Sequence, residues 1–201
     1  MEDLDALEDL AAEGDATAMF KLGASEHDAG DVDKACEWYR RAADLGESDA
    51  MTVLGLLAHE DGDVDTARTW LLKASELGNR NAMNYLGLIL EESGDAKGAS
   101  TWFERAAELG HVDAMITLGA QAEAADDPET ARSRYQEAAN QMHADGVTNF
   151  AWLCEPMARV CEQLGDTESA ESWMKLAAAM SIADEARRLV EIRGLDADAA
   201  T

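Results

Sequence analysis

Ala18-Met19-Phe20-Lys21-Leu22-Gly23 returns as Ala50-Met51-Thr52-Val53-Leu54-Gly55, as Ala82-Met83-Asn84-Tyr85-Leu86-Gly87 and as Ala114-Met115-Ile116-Thr117-Leu118-Gly119, at a constant 32-residue period. A fixed period of that size marks a stacked repeat array, in which each unit buries its apolar face only against its neighbours. The sequence around each copy supplies its own punctuation. The first helix of a unit, helix A, stops at Gly30-Asp31, Gly62-Asp63 and Gly94-Asp95. Gly suits the left-handed residue just past a helix end and Asp suits the N-cap of the next helix, so two residues make a complete turn. Helix B then carries Ala35, Trp38, Tyr39 and Ala42, and its counterparts Ala67, Trp70, Leu71, Ala74 and Ala99, Trp102, Phe103, Ala106, a spacing that keeps the bulk on one face. Helix B ends at Leu45-Gly46, Leu77-Gly78 and Leu109-Gly110, with Asp49, Asn79 or Asn81, and Asp113 as candidate caps of the helix that follows.

Glycine in mid-helix costs about 1 kcal/mol relative to Ala, so Gly23, Gly55, Gly87 and Gly119 need a compensating contact. The pattern predicts that they face Ala35, Ala67, Ala99 and Ala131 across a close A–B approach. Trp38, Trp70, Trp102 and Trp173 are then structural residues filling space between units.

The whole chain reads as all-α, an α-α superhelical solenoid of antiparallel helix pairs forming a single repeat domain over 1–201. Residues 3–13, with Leu4, Leu7 and Leu10 as an apolar stripe, are an N-terminal cap helix. Regular repeats follow at 15–46, 47–78, 79–110 and 111–142, then an irregular fifth repeat at 143–180, a C-terminal cap helix at 182–193 and an acidic tail at 194–201. The pattern weakens in the fourth unit, where Asp126-Asp127-Pro128 replaces Gly-Asp, Arg134 stands in the Trp position and Gln141-Met142 replaces Leu-Gly. The next Gly-Asp, Gly165-Asp166, comes seven residues late. The insertion falls in 144–161, so the helix there is longer, kinked at Pro156, or preceded by an ordered loop. Phe150 and Trp152 in this segment either pack on helix B of the fourth unit or form a second interface with a partner or another copy.

Sixteen Lys and Arg against 42 Asp and Glu give a net charge of −26, which weighs against binding nucleic-acid phosphates or an anionic membrane. A basic or amphipathic protein or peptide is the natural complement, although acids also solvate outer helix faces. The N-terminus lacks the basic and apolar regions of an export signal. No stretch approaches the ~18 apolar residues of a membrane span. Cys36, Cys154 and Cys161 have no disulfide spacing; the last two lie roughly 10.5 Å apart along a helix, too far for an unstrained bridge. They read as reduced thiols of a cytoplasmic protein.

Chemistry is sparse. No phosphate loop, nucleophile elbow or zincin pattern occurs, which predicts a non-enzymatic protein without a cofactor. Asp61-Gly62-Asp63-Val64-Asp65 resembles the start of a calcium loop, but its sixth and twelfth positions are Thr66 and Leu72 rather than Gly and Glu, so it is a capped helix turn. His27 and His59 lie one period apart, as do His111 and His143, but two ligands fall short of a metal site.

Leu-Gly in helix A, Ala at the start of helix B, an aromatic four residues later and a second Ala after three more resemble the tetratricopeptide repeat. The run Glu37-Trp38-Tyr39-Arg40-Arg41-Ala42-Ala43-Asp44-Leu45-Gly46 is similar to the Sel-one-like subclass, with the usual Gly-rich insert shortened to Gly-Asp and a correspondingly short unit. The resemblance implies a concave groove lined by A helices and used to bind protein segments. Carried over by position, Phe20, Leu56, Leu88 and Ile116 form its apolar floor, and Thr52, His27 and His59 are further groove positions. Asp28, Glu60, Glu91, Glu92 and Glu123 form its acidic wall, and Asn81 and Asn84 are placed to hydrogen-bond an extended backbone. The predicted function is an interaction scaffold or adaptor for a basic, partly apolar peptide or helix. The alternative is a homo-oligomer formed through 150–161.

Overall fold

The computed structural model describes the backbone of residues 4–198 and the side chains of residues 4–183. Among the described residues there are eleven helices and no strand. They group into two compact units, Met1–Leu109 and Gly110–Thr201. The first holds α1 (Leu4–Ala12), α2 (Ala16–Asp28), α3 (Val32–Asp44), α4 (Ser48–Glu60), α5 (Val64–Glu76), α6 (Arg80–Glu92) and α7 (Ala96–Glu108). The second holds α8 (Val112–Ala124), α9 (Pro128–Ala144), α10 (Ala151–Gln163) and α11 (Thr167–Asp198). Within each unit the A and B helices of a repeat pack as a hairpin, α2 on α3, α4 on α5, α6 on α7, α8 on α9 and α10 on α11, and each B helix packs on the next A helix of the same unit. This is the α-α solenoid that the period predicts.

The hairpin turns follow from their residues. Gly30, Gly62, Gly94 and Gly165 take φ between +75° and +85°, a region open to Gly without a side-chain clash. The Asp that follows each one caps the next helix, as where the Asp63 carboxylate accepts the Thr66 N–H at 3.1 Å. In the fourth unit Asp126 takes the left-handed place with φ +61°, Asp127 caps and Pro128 opens α9, so the turn survives its change of residues. Asn79 caps α6 as predicted, but α4 is capped by Glu47 and α8 by His111, not by Asp49 and Asp113. Each helix starts earlier than its first Asp suggests, which leaves Asp49 and Asp113 in the first turn.

The mid-helix glycines meet a larger partner than the one predicted. A β-carbon on Gly23 would lie 2.7 Å from the Tyr39 ring, on Gly55 2.7 Å from Leu71 Cγ, on Gly87 2.5 Å from Phe103 and on Gly119 2.6 Å from Tyr135. The bulky residue of helix B occupies most of the space that Gly leaves open, and at Gly55 the expected Ala67 shares it, its carbonyl oxygen 3.2 Å away. Leu71 and Phe103 are fully buried, and Tyr39 and Tyr135 nearly so. Trp38, Trp70 and Trp102 are only half-buried, packed against the core from outside. Each carries a cation from the next turn: Arg41 at 4.2 Å, Lys73 at 4.4 Å and Arg105 at 4.7 Å from the ring centroid. In α1 the buried face is Leu7 and Ala11, one turn apart, while Leu4 and Leu10 are about half exposed, so the predicted three-leucine stripe is not the packed face.

The seven-residue delay divides in two. Helix α9 has 17 residues where its counterpart α7 has 13. The linker from α9 to α10 spans six positions where that between α7 and α8 spans three. Pro156 lies inside α10 without ending it. It removes the N–H that would bond the Trp152 carbonyl, and Trp152 is exposed.

The C-terminal end differs from the prediction. A separate cap helix at 182–193 followed by a tail is replaced by the continuous 32-residue α11, which runs through Ala177-Ala178-Ala179-Met180-Ser181-Ile182 to Asp198. That junction contains neither Gly nor Pro and is rich in strong helix formers, so nothing in it stops the helix. Of the predicted tail, 199–201 lies outside the described residues.

Candidate functional site

In the first unit the three A helices are tied by side-chain bonds one repeat apart. Thr17 Oγ1 donates to Glu47 at 3.0 Å, the Asn79 amide donates to Asp49 at 2.7 Å and to Ser48 at 3.1 Å, and His59 Nε2 lies 3.2 Å from Glu92. On this frame Phe20 and Leu56 are half-buried and Leu88 is exposed. Phe20 leans on Tyr39, its ring centroid 5.7 Å away and tilted by 41°. His27, Asp28, Glu60, Asn81, Glu91 and Glu92 are exposed, so carboxylates on α2, α4 and α6 border partly exposed apolar side chains.

Two positions carried over to the groove have other duties. Thr52 is buried and its hydroxyl donates to the Ser48 carbonyl at 2.8 Å, which satisfies it inside its own helix. Asn84 is 7% exposed and its Oδ1 is buried without a hydrogen-bond partner. A buried amide oxygen left unpaired costs about 1–3 kcal/mol, a strain that a rotation towards a donor would relieve.

The second unit holds Ile116 half-buried on α8. Glu123, assigned to the acidic wall, is committed elsewhere. Arg159 of α10 donates to it at 2.7 and 3.1 Å, and Tyr135 of α9 donates its hydroxyl at 2.8 Å. The Arg159 guanidinium holds the Glu123 carboxyl below its ordinary value against the opposing effect of burial, with the Tyr135 hydroxyl adding to the lowering. Burial, then the Glu123 carboxylate, raises the Tyr135 phenol. The repeat period could not expose this link, because Arg159 stands 36 positions after Glu123, across the insertion. The Trp–cation stacks were visible as Lys or Arg three residues after each Trp.

Phe150, offered as half of a second interface, is 8% exposed and belongs to the core, whereas Trp152 is 54% exposed. Burial pushes the Cys154 and Cys161 thiols up, which disfavours the thiolate that nucleophilic chemistry needs. All three cysteines are unpaired. Among the described residues no group of three or more His, Cys, Asp or Glu is placed to hold a metal ion, and no helix is long and apolar enough to cross a membrane.

Helix hairpins stacked in phase, with Gly seated against a bulky residue of the next helix, define an α-helical repeat protein. The chain belongs to the tetratricopeptide repeat family, which matches residues 3–50 and 54–114, and the Sel1 repeat matches residues 161–181. Repeats of both kinds generally build protein-interaction scaffolds. Among solved structures, a protective antigen of uropathogenic Escherichia coli with an SLR fold is 26% identical (TM-score 0.70), with 89% of this chain and 41% of that one aligned. A Sel1 repeat protein from Oxalobacter formigenes is also 26% identical (TM-score 0.62), with 87% and 55% aligned. BtubC from P. vanneervenii, 17% identical (TM-score 0.63), aligns over 90% of this chain and 88% of its own, and shares the fold alone. The chain thus spans about half or less of the first two. No curated protein matches by sequence.

Proposed function

We propose that this chain is a non-enzymatic interaction scaffold whose A-helix face on the first unit receives a basic, partly apolar segment of another protein. The observation that supports this reading best is the juxtaposition on α2, α4 and α6 of partly exposed Phe20, Leu56 and Leu88 with the exposed carboxylates of Asp28, Glu60 and Glu91. Apolar contact supplies affinity there, and the acids select the sign of the partner and speed its approach. The unpaired thiols are in keeping with a reducing, cytoplasmic setting.

Affinity capture from native cell extract at low and high salt tests the reading. Capture should weaken as salt rises, because exposed charges are screened over about 8 Å at physiological ionic strength. Leu56→Glu with Leu88→Glu should abolish it while far-UV circular dichroism stays unchanged. Undiminished capture by that variant removes the groove as the site. A second reading, self-association through α10, rests on the exposure of Trp152, and dispersal of an oligomer by Trp152→Ala would favour it.

A further inference from the structure

The B-helix position that meets the mid-helix glycine is 3% exposed at Tyr39, 0% at Leu71 and Phe103, and 3% at Tyr135. Its counterpart on α11, Met174, is 50% exposed. The same contrast holds one turn on, where Ala43, Ser75, Ala107 and Ala139 are buried and Ala178 is exposed. In the preceding repeats this face helps to pack helix B against its neighbours; on α11 it opens into a cavity of about 540 Å³ lined by Thr167, Ala170, Met174 and Ala178, with the charged Glu171 and Lys175 and with Glu162 of α10. One turn beyond Ala178, Ile182 is 68% exposed.

We propose that this face of α11 is a self-association surface, and that its occupant is α11 of a second copy packed antiparallel across a two-fold axis near Met174. Ala170, Met174, Ala178 and Ile182 fall at four-residue steps and form one ridge of a helix. Antiparallel pairing about Met174 seats that side chain beside the exposed Ala178 of the second copy, with Ala170, 3% exposed, lining the cavity beneath it. The charges on the face complement themselves. Glu171 and Lys175, which pair within α11 at 3.1 Å, come beside Lys175 and Glu171 of the second copy, as an isologous contact requires.

Sedimentation equilibrium of the full chain over a roughly hundredfold dilution tests this, because a dimer dissociates by mass action. The wild type should show a reversible monomer–dimer equilibrium. Met174→Glu, at a half-exposed position that leaves the fold intact, should weaken the dimer by about tenfold or more. Glu171→Lys alone should weaken it, and Glu171→Lys with Lys175→Glu should restore it, since the swap preserves pairing within and between copies. A wild type that is monomeric throughout, a Met174→Glu variant with an unchanged dissociation constant, or a dimer dispersed by Trp152→Ala but not by Met174→Glu would each overturn the proposal.

Discussion

Replacing Gly87 by Ala sets two effects of known sign against each other. Ala in mid-helix should stabilise α6 by about 1 kcal/mol through helix propensity. Against this, the added methyl would lie 2.5, 2.6 and 2.9 Å from Cε1, Cδ1 and Cζ of Phe103, where carbon atoms rest at about 3.5–4.0 Å. The ring must retreat by roughly 1 Å, yet Phe103 is fully buried and interiors of native packing density have no such slack. Overpacking of this kind costs about 1–3 kcal/mol, and with three contacts to a rigid ring we place it at the upper end. The net expectation is a loss of about 1–2 kcal/mol, read as a lower urea midpoint with circular dichroism as the probe. The protein carries its own control. In the fifth repeat Ala158 stands where the other A helices have Gly, and the position that corresponds to Phe103 is the flexible, half-exposed Met174 instead of a buried ring or Leu. Gly87→Ala combined with Phe103→Met should therefore lose about 1–2 kcal/mol less than the sum of the single changes. A Gly87→Ala variant as stable as the wild type, or strict additivity in the pair, would refute the packing account.

Asp126→Gly should stabilise the protein by about 0.5–1 kcal/mol, because Asp126 is the non-glycine residue held at positive φ among those described; a lower melting temperature would mean that its side chain outweighs the strain. Glu123→Gln should cost about 1–2 kcal/mol near neutral pH, since it weakens a charged hydrogen bond to a half-exposed Arg159. The Glu123 carboxyl titrates below its ordinary 4.5 when folded, so its contribution is complete above that value and lost as pH falls through the lower one. Stability of the variant should accordingly fall less steeply than that of the wild type on acidification below pH 4.5, and parallel curves would refute the assignment.

Most of the fold is legible because repeats make the same statement several times: a turn written Gly-Asp three times in phase leaves little room for another reading. The failures have two physical sources. Where a local signal is weak, tertiary packing decides. Sequence periodicity puts Leu4, Leu7 and Leu10 on one face, but the contact with α2 selects Leu7 and Ala11, and the small Ala at the head of helix B suggests a partner for Gly that yields most of the space to the larger Tyr39, Leu71 and Phe103. Where a residue lies beyond the insertion, the period loses its power to align. The lengthened α9 and the longer loop after it set Arg159 against Glu123 and place Trp152 on the surface, and neither can be found by stepping along the period. The groove is legible only as positions. Side-chain commitments, such as the Thr52 hydroxyl to Ser48 and the Glu123 carboxylate to Arg159, depend on geometry that no spacing encodes.

Those commitments also change what the net charge of −26 means. Asp15, Asp31, Asp63, Asp95, Asp127 and Asp166 each accept an N–H at the start of a helix; the turn requires them whatever the protein binds. Glu47, Glu92 and Glu123 are held by Thr17, His59 and Arg159. Part of the acidity is therefore a by-product of capping every repeat, and net charge alone overstates the case for a basic partner. The stronger case is positional, resting on exposed Asp28 and Glu60 on the A helices that carry the partly exposed Phe20 and Leu56. Two pairs of neutral substitutions separate these ideas. Asp63→Asn with Asp95→Asn removes two charges while keeping side chains that cap as well, and should leave affinity for the captured partner within about twofold. Asp28→Asn with Glu60→Gln removes the same charge from the groove; it should weaken binding by about three- to tenfold at low salt and flatten its salt dependence. Equal losses from both pairs, measured by titration calorimetry, would show that the partner responds to bulk charge and not to the A-helix face.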